Sequence, residues 1–274
     1  MSEFNETTDA ITVAYWSIRG LGGPIRHMVM FSGRKMKAIS YSLRTKEDGS
    51  YDPQEWMGDA KPMLKKENPL ANLPWVRDPI DKVQVTQSNA AMSYLAKKLG
   101  LYGKNPLQET ACDQLLCEMA DLASAMTRFA YSDGTKESAE ALLKAQINSG
   151  RGNLNKMEAW LKNKSSASSN AFLVGDSPTA PDFKLFELLE QYSTMAKHFG
   201  FEDKDPCNAD ICPSLSSFYS TFKALKNNES YFNSPFYNFP FNNRMAKFGS
   251  APYISGEAFD KDAPFPEFQL EQIV

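Results

Sequence analysis

Every run in this chain that reads as a β-strand lies before residue 87, and almost nothing after Leu107 does. A chain divided in this way folds as an α/β unit followed by a helical one, not as a single interleaved sheet. The change falls between Gly100 and Pro106, a short stretch with Gly, Asn and Pro that reads as a linker.

In the first part, Ile11-Thr12-Val13-Ala14-Tyr15-Trp16 reads as a buried strand. Gly20 to Gly23 is a loop, and Pro24 fits the first turn of a helix with Ile25, Met28, Val29 and Phe31 at helical spacing. Ala38 to Leu43 alternates like a second strand. A polar loop broken by Gly49 and Pro53 covers Arg44 to Met57, and a short helical stretch follows around Pro62 to Glu67. Trp75-Val76-Arg77 and Lys82 to Thr86 make a hairpin across Asp78-Pro79-Ile80-Asp81. Ser88 to Leu99 is a helix ended by Gly100. The order β-α-β-(α)-β-β-α is that of a thioredoxin-like layer.

In the second part, Gln108 to Ala130 forms a helix whose apolar face is Leu115, Leu116, Met119, Leu122 and Met126. Lys136 to Lys162 reads as another, with Gly150 and Gly152 as points where it breaks or bends. Lys164 to Asn170 is a serine-rich loop. Thr179-Ala180-Pro181-Asp182 matches a capping box ahead of Phe183, Phe186 and Leu189. Pro213 starts a last clear helix carrying Leu215, Phe218, Phe222 and Leu225. Tyr231 to Phe268 is rich in Phe, Tyr, Pro and Asn, which predicts irregular chain packed on a surface, because disordered tails lack such aromatic content. The expected organisation is a polar N-terminal tail (1–10), a thioredoxin-like domain (11–99), the linker (100–106), a helical domain (107–250) and a C-terminal extension (251–274).

Charge and cysteine usage narrow the function. With 33 acidic and 30 basic residues, the net charge of −3 gives no electrostatic case for nucleic acid or an anionic membrane. No apolar run approaches the roughly 18 residues that span a bilayer. Met1 to Asp9 has no basic start and no apolar core, so no signal peptide is expected. Four cysteines fall in two pairs, Cys112/Cys117 and Cys207/Cys212. Five helical positions turn about 500°, so the first pair faces two directions. With two histidines in the chain, no metal site is expected. Free thiols fit a reducing compartment, hence a cytoplasmic location.

One junction carries a ligand-binding signal. The β-branched run ends at Thr86, and Ser88 stands where a helix N-cap belongs. The free N–H groups and positive dipole end of a helix start hold a carboxylate or a phosphate.

Together these stretches resemble the cytosolic glutathione transferases, and most closely their mu class, over about Thr12 to Ser250. Tyr15-Trp16-Ser17-Ile18-Arg19-Gly20-Leu21 is similar to the family's opening Tyr-Trp-Asp-Ile-Arg-Gly-Leu. Tyr51 to Trp56 is similar to the mu loop that ends in Trp. Asn72-Leu73-Pro74 and Gln87-Ser88-Asn89-Ala90 resemble the glutathione-site signatures. Thr179 to Phe183 resembles the capping motif of the helical domain, and Arg244 to Phe248 the mu C-terminal segment.

The resemblance implies roles for these residues. Tyr15 would donate a hydrogen bond to the glutathione sulfur. A thiol of pKa ~8.5 is mostly protonated at neutral pH, and only the thiolate attacks well. Gln87 and Ser88 would bind the γ-glutamyl carboxylate. Leu73 and Pro74, the latter cis in the family, would present backbone groups to the cysteinyl part. Trp16, Leu21, Trp56, Asn72 and Lys61 would complete the glutathione site, with Asp121 reaching the glutathione amine of the other subunit of a homodimer. Lys61 stands one residue past the family's lysine position, and Leu70 replaces its aromatic dimer key. Ile18, Met126, Thr127, Tyr131, Phe241 and Met245 would line the second-substrate pocket, with Tyr131 hydrogen bonding to developing oxyanion charge. Glutathione is then a co-substrate, no metal is needed, and the reaction is conjugation of hydrophobic electrophiles, a detoxification. Two other functions use the same scaffold: a non-catalytic ligand-binding or structural protein, and a glutathione-dependent isomerase. The intact Tyr15, Gln87 and Ser88 favour the transferase.

Overall fold

Strand β1 (Ile11–Trp16) has its first five residues buried, and a strand covered on both faces reads as a continuous apolar run. It pairs in parallel with β2 (Met36–Tyr41) and antiparallel with β5 (Trp75–Asp78), which pairs in turn with β6 (Val83–Thr86). Helix α1 (Gly23–Phe31) connects β1 to β2, and α3 (Ser88–Leu99) follows β6. This computed structural model describes residues 9–147, 150–165, 172–250 and 271–274. The arrangement is a thioredoxin-like domain joined to a helical one.

Between β2 and β5 the chain is more ordered than its polar composition predicts. Arg44–Thr45 (β3) pairs with Tyr51–Asp52 (β4). A π-helical turn over Glu55–Ala60 then runs into α2 (Lys61–Glu67). Trp56 anchors this segment, buried with its ring 5.3 Å from that of Tyr41.

The C-terminal extension adds a strand that the sequence does not announce. Glu271–Ile273 (β7) pairs antiparallel with β2, setting Lys37 opposite Ile273 and Ile39 opposite Glu271. The Met36 N–H donates to the Val274 carbonyl at 2.7 Å, and the Val274 N–H returns a bond to Met36 at 2.9 Å. The sheet order is β6-β5-β1-β2-β7, so the outer side of β2 is covered and not left as an open edge. Residues 251–270, most of the expected extension, lie outside the described residues, as do most of the N-terminal tail and of the serine-rich loop.

The helical part begins with α4 (Pro106–Ser132), capped by Asn105 Oδ1, which accepts from the Gln108 N–H at 3.0 Å. The single helix predicted over 136–162 is two, α5 (Lys136–Ile147) and α6 (Asn153–Ser165). The two glycines cause the break. Gly150 has φ +64°, and a Cβ on Gly152 would sit 2.3 Å from the Gln146 carbonyl oxygen. Helix α7 (Ala180–Phe199) is the axis of the domain, buried from Ala180 to Ala196. The Asp182 carboxylate holds its start, accepting from the Thr179 N–H at 2.7 Å, the Thr179 hydroxyl at 2.8 Å and the Leu173 N–H at 2.8 Å. Helices α8 (Pro213–Lys223) and α9 (Glu229–Phe232) follow. From 233 to 250 the chain has no regular structure, yet Phe236, Phe239 and Phe241 are fully buried. Cys112 is buried and Cys117 exposed, as their spacing predicts, and all four cysteines are free thiols.

Candidate active site

Tyr15 lies near the C-terminal end of β1, where the strand leaves the sheet and the loop to α1 turns back over its ring. Two glycines allow that approach. A Cβ on Gly20, whose φ is +37°, would lie 3.0 Å from the Tyr15 hydroxyl, and one on Gly22 would lie 2.6 Å from the ring. The Leu21 N–H donates to the hydroxyl, but burial dominates and pushes the Tyr15 pKa up to about 12. Tyr15 therefore stays protonated at neutral pH and remains a hydrogen-bond donor.

Two buried arginines hold this loop. Arg26 on α1 donates to the Ile18 carbonyl at 2.8 Å and to the Trp16 carbonyl at 3.1 Å. Arg19 crosses to α7, meeting Glu187 Oε2 at 2.8 Å and Glu190 Oε2 at 2.9 Å, and its guanidinium lies 4.8 Å from the ring centres of Tyr237 and Phe241. Backbone bonds complete the clamp, with the Arg19 N–H donating to Pro240 at 2.7 Å and the Gly20 N–H to Phe241 at 3.1 Å. The Tyr15 loop is thus fixed by the irregular C-terminal segment and by the helical core together.

Around Tyr15 opens a cavity of about 180 Å³. Its walls come from the loop (Tyr15, Trp16, Ile18, Gly20, Leu21), the start of α3 (Ser88), α4 (Ala123, Thr127, Tyr131), α7 (Lys184, Glu187, Leu188, Gln191) and the C-terminal segment (Asn242, Asn243). An adjoining lobe of about 420 Å³ shares Leu21, Ser88, Ala123, Thr127 and Lys184, and adds Ala120, Ser124 and Arg128. Tyr131 is held by the Asn243 N–H, which donates to its hydroxyl at 2.8 Å. Burial raises the Tyr131 pKa as well.

The helix start differs in detail from the sequence expectation. Gln87, not Ser88, is the cap of α3, and Ser88 is its first helical residue. Gln87 has φ +71°, a region that costs a residue with a side chain of order 1–3 kcal/mol. The Leu73–Pro74 peptide is cis. Beside it, the Thr86 hydroxyl donates to the Asn72 carbonyl at 3.0 Å, tying the strand end to this bend.

Of the residues singled out from sequence, Tyr15, Trp16, Ile18, Leu21, Ser88, Thr127 and Tyr131 meet at this cavity. Trp56 is buried in the cluster of Ala14, Tyr41, Leu64 and Trp75 and does not line the cavity, with the Lys61 ammonium 5.8 Å from its ring. Asp121 is exposed on α4, and Leu70 is 70% exposed. Met126, in register with Leu115, Met119 and Leu122, is buried in the core. Phe241 is buried under Arg19, and Met245 is 47% exposed. Sequence reasoning missed the α7 wall. Lys184, Glu187 and Gln191 recur at helical spacing inside an apolar run, and that polar stripe is the signal that could have found them. Among the described residues, no three His, Cys, Asp or Glu side chains gather as for a metal, and no helix is long and apolar enough to cross a membrane.

Known proteins match this architecture. Residues 120–235 fit the family described as glutathione S-transferase, C-terminal domain. Glutathione S-transferase Mu 3 of Homo sapiens is 28% identical over 245 residues, covering 89% of this chain and 97% of that protein. Glutathione S-transferase 2 of Gallus gallus is also 28% identical, covering 82% of this chain and 90% of its own. In structure, the Pi-class glutathione S-transferase of Onchocerca volvulus aligns with a TM-score of 0.64 at 23% identity, over 86% of this chain and 99% of that one. The chain has the glutathione transferase fold, a thioredoxin-like domain followed by a helical one. Along most of its length its sequence is similar to mu-class glutathione transferases.

Proposed function

We propose that this enzyme conjugates the glutathione thiolate to hydrophobic electrophiles in the cytoplasm, as a homodimer, with Tyr15 stabilising the thiolate. The observation that carries the reading is the position of Tyr15, a protonated hydroxyl on a cavity wall that also includes Ser88 at the start of α3. A donor aimed at sulfur favours the charged form, and lowering a thiol pKa by ~2 units takes about 2.7 kcal/mol of preferential stabilisation.

In this reading Gln87 and Ser88 take the γ-glutamyl carboxylate, Leu73 and Pro74 align the cysteinyl backbone, and Asn72, Trp56 and Lys61 face the glycyl end. Trp16 and Leu21 flank the tripeptide. Asp121 belongs to the site of the partner subunit. Ile18, Thr127 and Tyr131 line the second-substrate side, with Met126 supporting that wall from behind; Phe241 and Met245 frame its C-terminal rim.

The test is conjugation of 1-chloro-2,4-dinitrobenzene by wild type and by Tyr15→Phe, with glutathione affinity measured beside it. Retained glutathione binding with a rate loss of roughly 10²-fold is expected. Equal rates would remove Tyr15 from the chemistry. No turnover by the wild type despite glutathione binding would favour a ligand-binding role.

A further inference from the structure

Helix α7 places a cation in the cleft that nothing in the reaction above requires. Lys184 is 4% exposed. Its ammonium donates to Asn89 Oδ1 at 2.5 Å and to the Leu116 carbonyl at 3.2 Å. Both acceptors are neutral, and among the described residues no carboxylate pairs with it. Its neighbour on the same wall, Glu187, is engaged by Arg19. Lys184 nevertheless lines both the main cavity and the adjoining lobe.

A buried ammonium without a counter-charge is costly, and an anion delivered to it recovers part of that cost. The surroundings fit such an anion. The lobe is bounded by the α3 start at Ser88, the Thr127 hydroxyl and the Arg128 guanidinium, and no acidic side chain lines it. The α4 wall is built from Ala120, Ala123, Ser124 and Thr127, residues small enough to leave room for a substituent beyond the reacting carbon.

We infer that Lys184 is a specificity-determining residue that binds a carboxylate of the electrophilic substrate, so that the enzyme prefers acidic acceptors over neutral ones of the same shape. The inference rests on the transferase reading for its substrate, and binding and turnover separate the two. An ammonium has three donors, and two are occupied. The third is available to a carboxylate oxygen entering from the lobe, while Asn89 and Leu116 hold the side chain in place.

The experiment compares 4-chloro-3-nitrobenzoate with its methyl ester, which share ring and leaving group and differ in charge. Calorimetry in the presence of saturating S-methylglutathione gives the affinity of each, and steady-state kinetics with glutathione gives each kcat/KM. Wild type is expected to bind the acid more tightly than the ester. In Lys184→Met the acid-to-ester ratio should fall by about tenfold or more, the scale of one charge-assisted hydrogen bond. Lys184→Arg, which keeps the charge, should retain part of the ratio and guards against a folding defect in the first variant. No preference for the acid in the wild type, or the same ratio in Lys184→Met, overturns the inference. So does a loss of S-methylglutathione affinity at a constant ratio, which would assign the bound carboxylate to the tripeptide. Acid-selective binding without turnover of either acceptor would leave Lys184 its role and remove the transferase reading.

Discussion

The Asn243 N–H donates to the Tyr131 hydroxyl at 2.8 Å, so α4 and the C-terminal segment share one polar atom at the cleft. Because that oxygen accepts from the backbone, its own proton is free to point into the cavity. For an acceptor that develops oxyanion charge, such as an enone, Tyr131→Phe should lower kcat by at least about tenfold. For an aryl chloride, whose charge spreads over nitro groups, the loss should be smaller. Kinetics with both acceptor types checks this, and equal losses would reduce Tyr131 to a strut for Asn243.

Gly22 isolates the importance of where Tyr15 sits. The φ of Gly22 is −85°, which alanine adopts freely, so strain does not enter. A Cβ there would lie 2.6 Å from the Tyr15 ring, and the ring must move. Gly22→Ala should cost about 1–3 kcal/mol of stability through overpacking. It should also lower kcat by tenfold or so while the tyrosine is still present. Wild-type activity in this variant, with unchanged thermal stability, would mean the loop yields at no cost.

Arg19 predicts a large stability effect far from solvent. Its removal leaves Glu187 a buried carboxylate without its cation, and Glu190 with Lys223 alone, 3.7 Å away. Arg19→Met should destabilise by about 3–5 kcal/mol in chemical denaturation. The double variant Arg19→Met/Glu187→Leu should recover part of that loss, because one orphaned charge is gone. A loss below about 1 kcal/mol in the single variant would contradict a buried, dry network.

His27 shapes the acid side of stability. It sits among Phe183, Phe186, Phe222 and Tyr231, with its Nε2 2.7 Å from Asn228 Oδ1. Burial drives its pKa from 6.5 down to about 3. The unfolded chain then binds a proton below pH 6.5 that the folded chain refuses until about pH 3, so this group removes stability as pH falls through that window, by up to roughly 1.4 kcal/mol per unit. Asp182 acts in the opposite sense. Burial raises its pKa from 3.8 to about 6, so its protonation adds stability as pH falls from 6 towards 3.8. The two overlap, and a comparison of His27→Gln with wild type separates them. The variant should be less stable at pH 8, with the gap narrowing towards pH 4. A constant gap would mean His27 titrates alike in both states.

The thioredoxin-like layer was legible because its strands are punctuated by Gly, Pro and Asp, and because β1 is a continuous apolar run. Tyr15, Trp16 and Ser88 were legible as motifs tied to a strand end and a helix start. Rotation about a helix axis was harder to read. Met126 continues the apolar stripe of α4 into the core, whereas Ala123 and Thr127, flanking it in sequence, face the cleft. Lys184 is hard to read because a lone lysine in an apolar run reads as one that reaches solvent, and only the packing of α3 and α4 around α7 buries it. Strand β7 was hidden for a related reason. Glu271-Gln272-Ile273 has little strand character of its own and owes its conformation to the β2 edge it meets.

That last pairing bears on the order of synthesis. The strand completing the first domain's sheet is made after the whole helical domain, so a nascent chain carries an uncovered β2 edge until residues 271–273 leave the ribosome. During that interval the Met36–Tyr41 backbone is open to other partners, and the helical domain must form without hindering the return of its own tail.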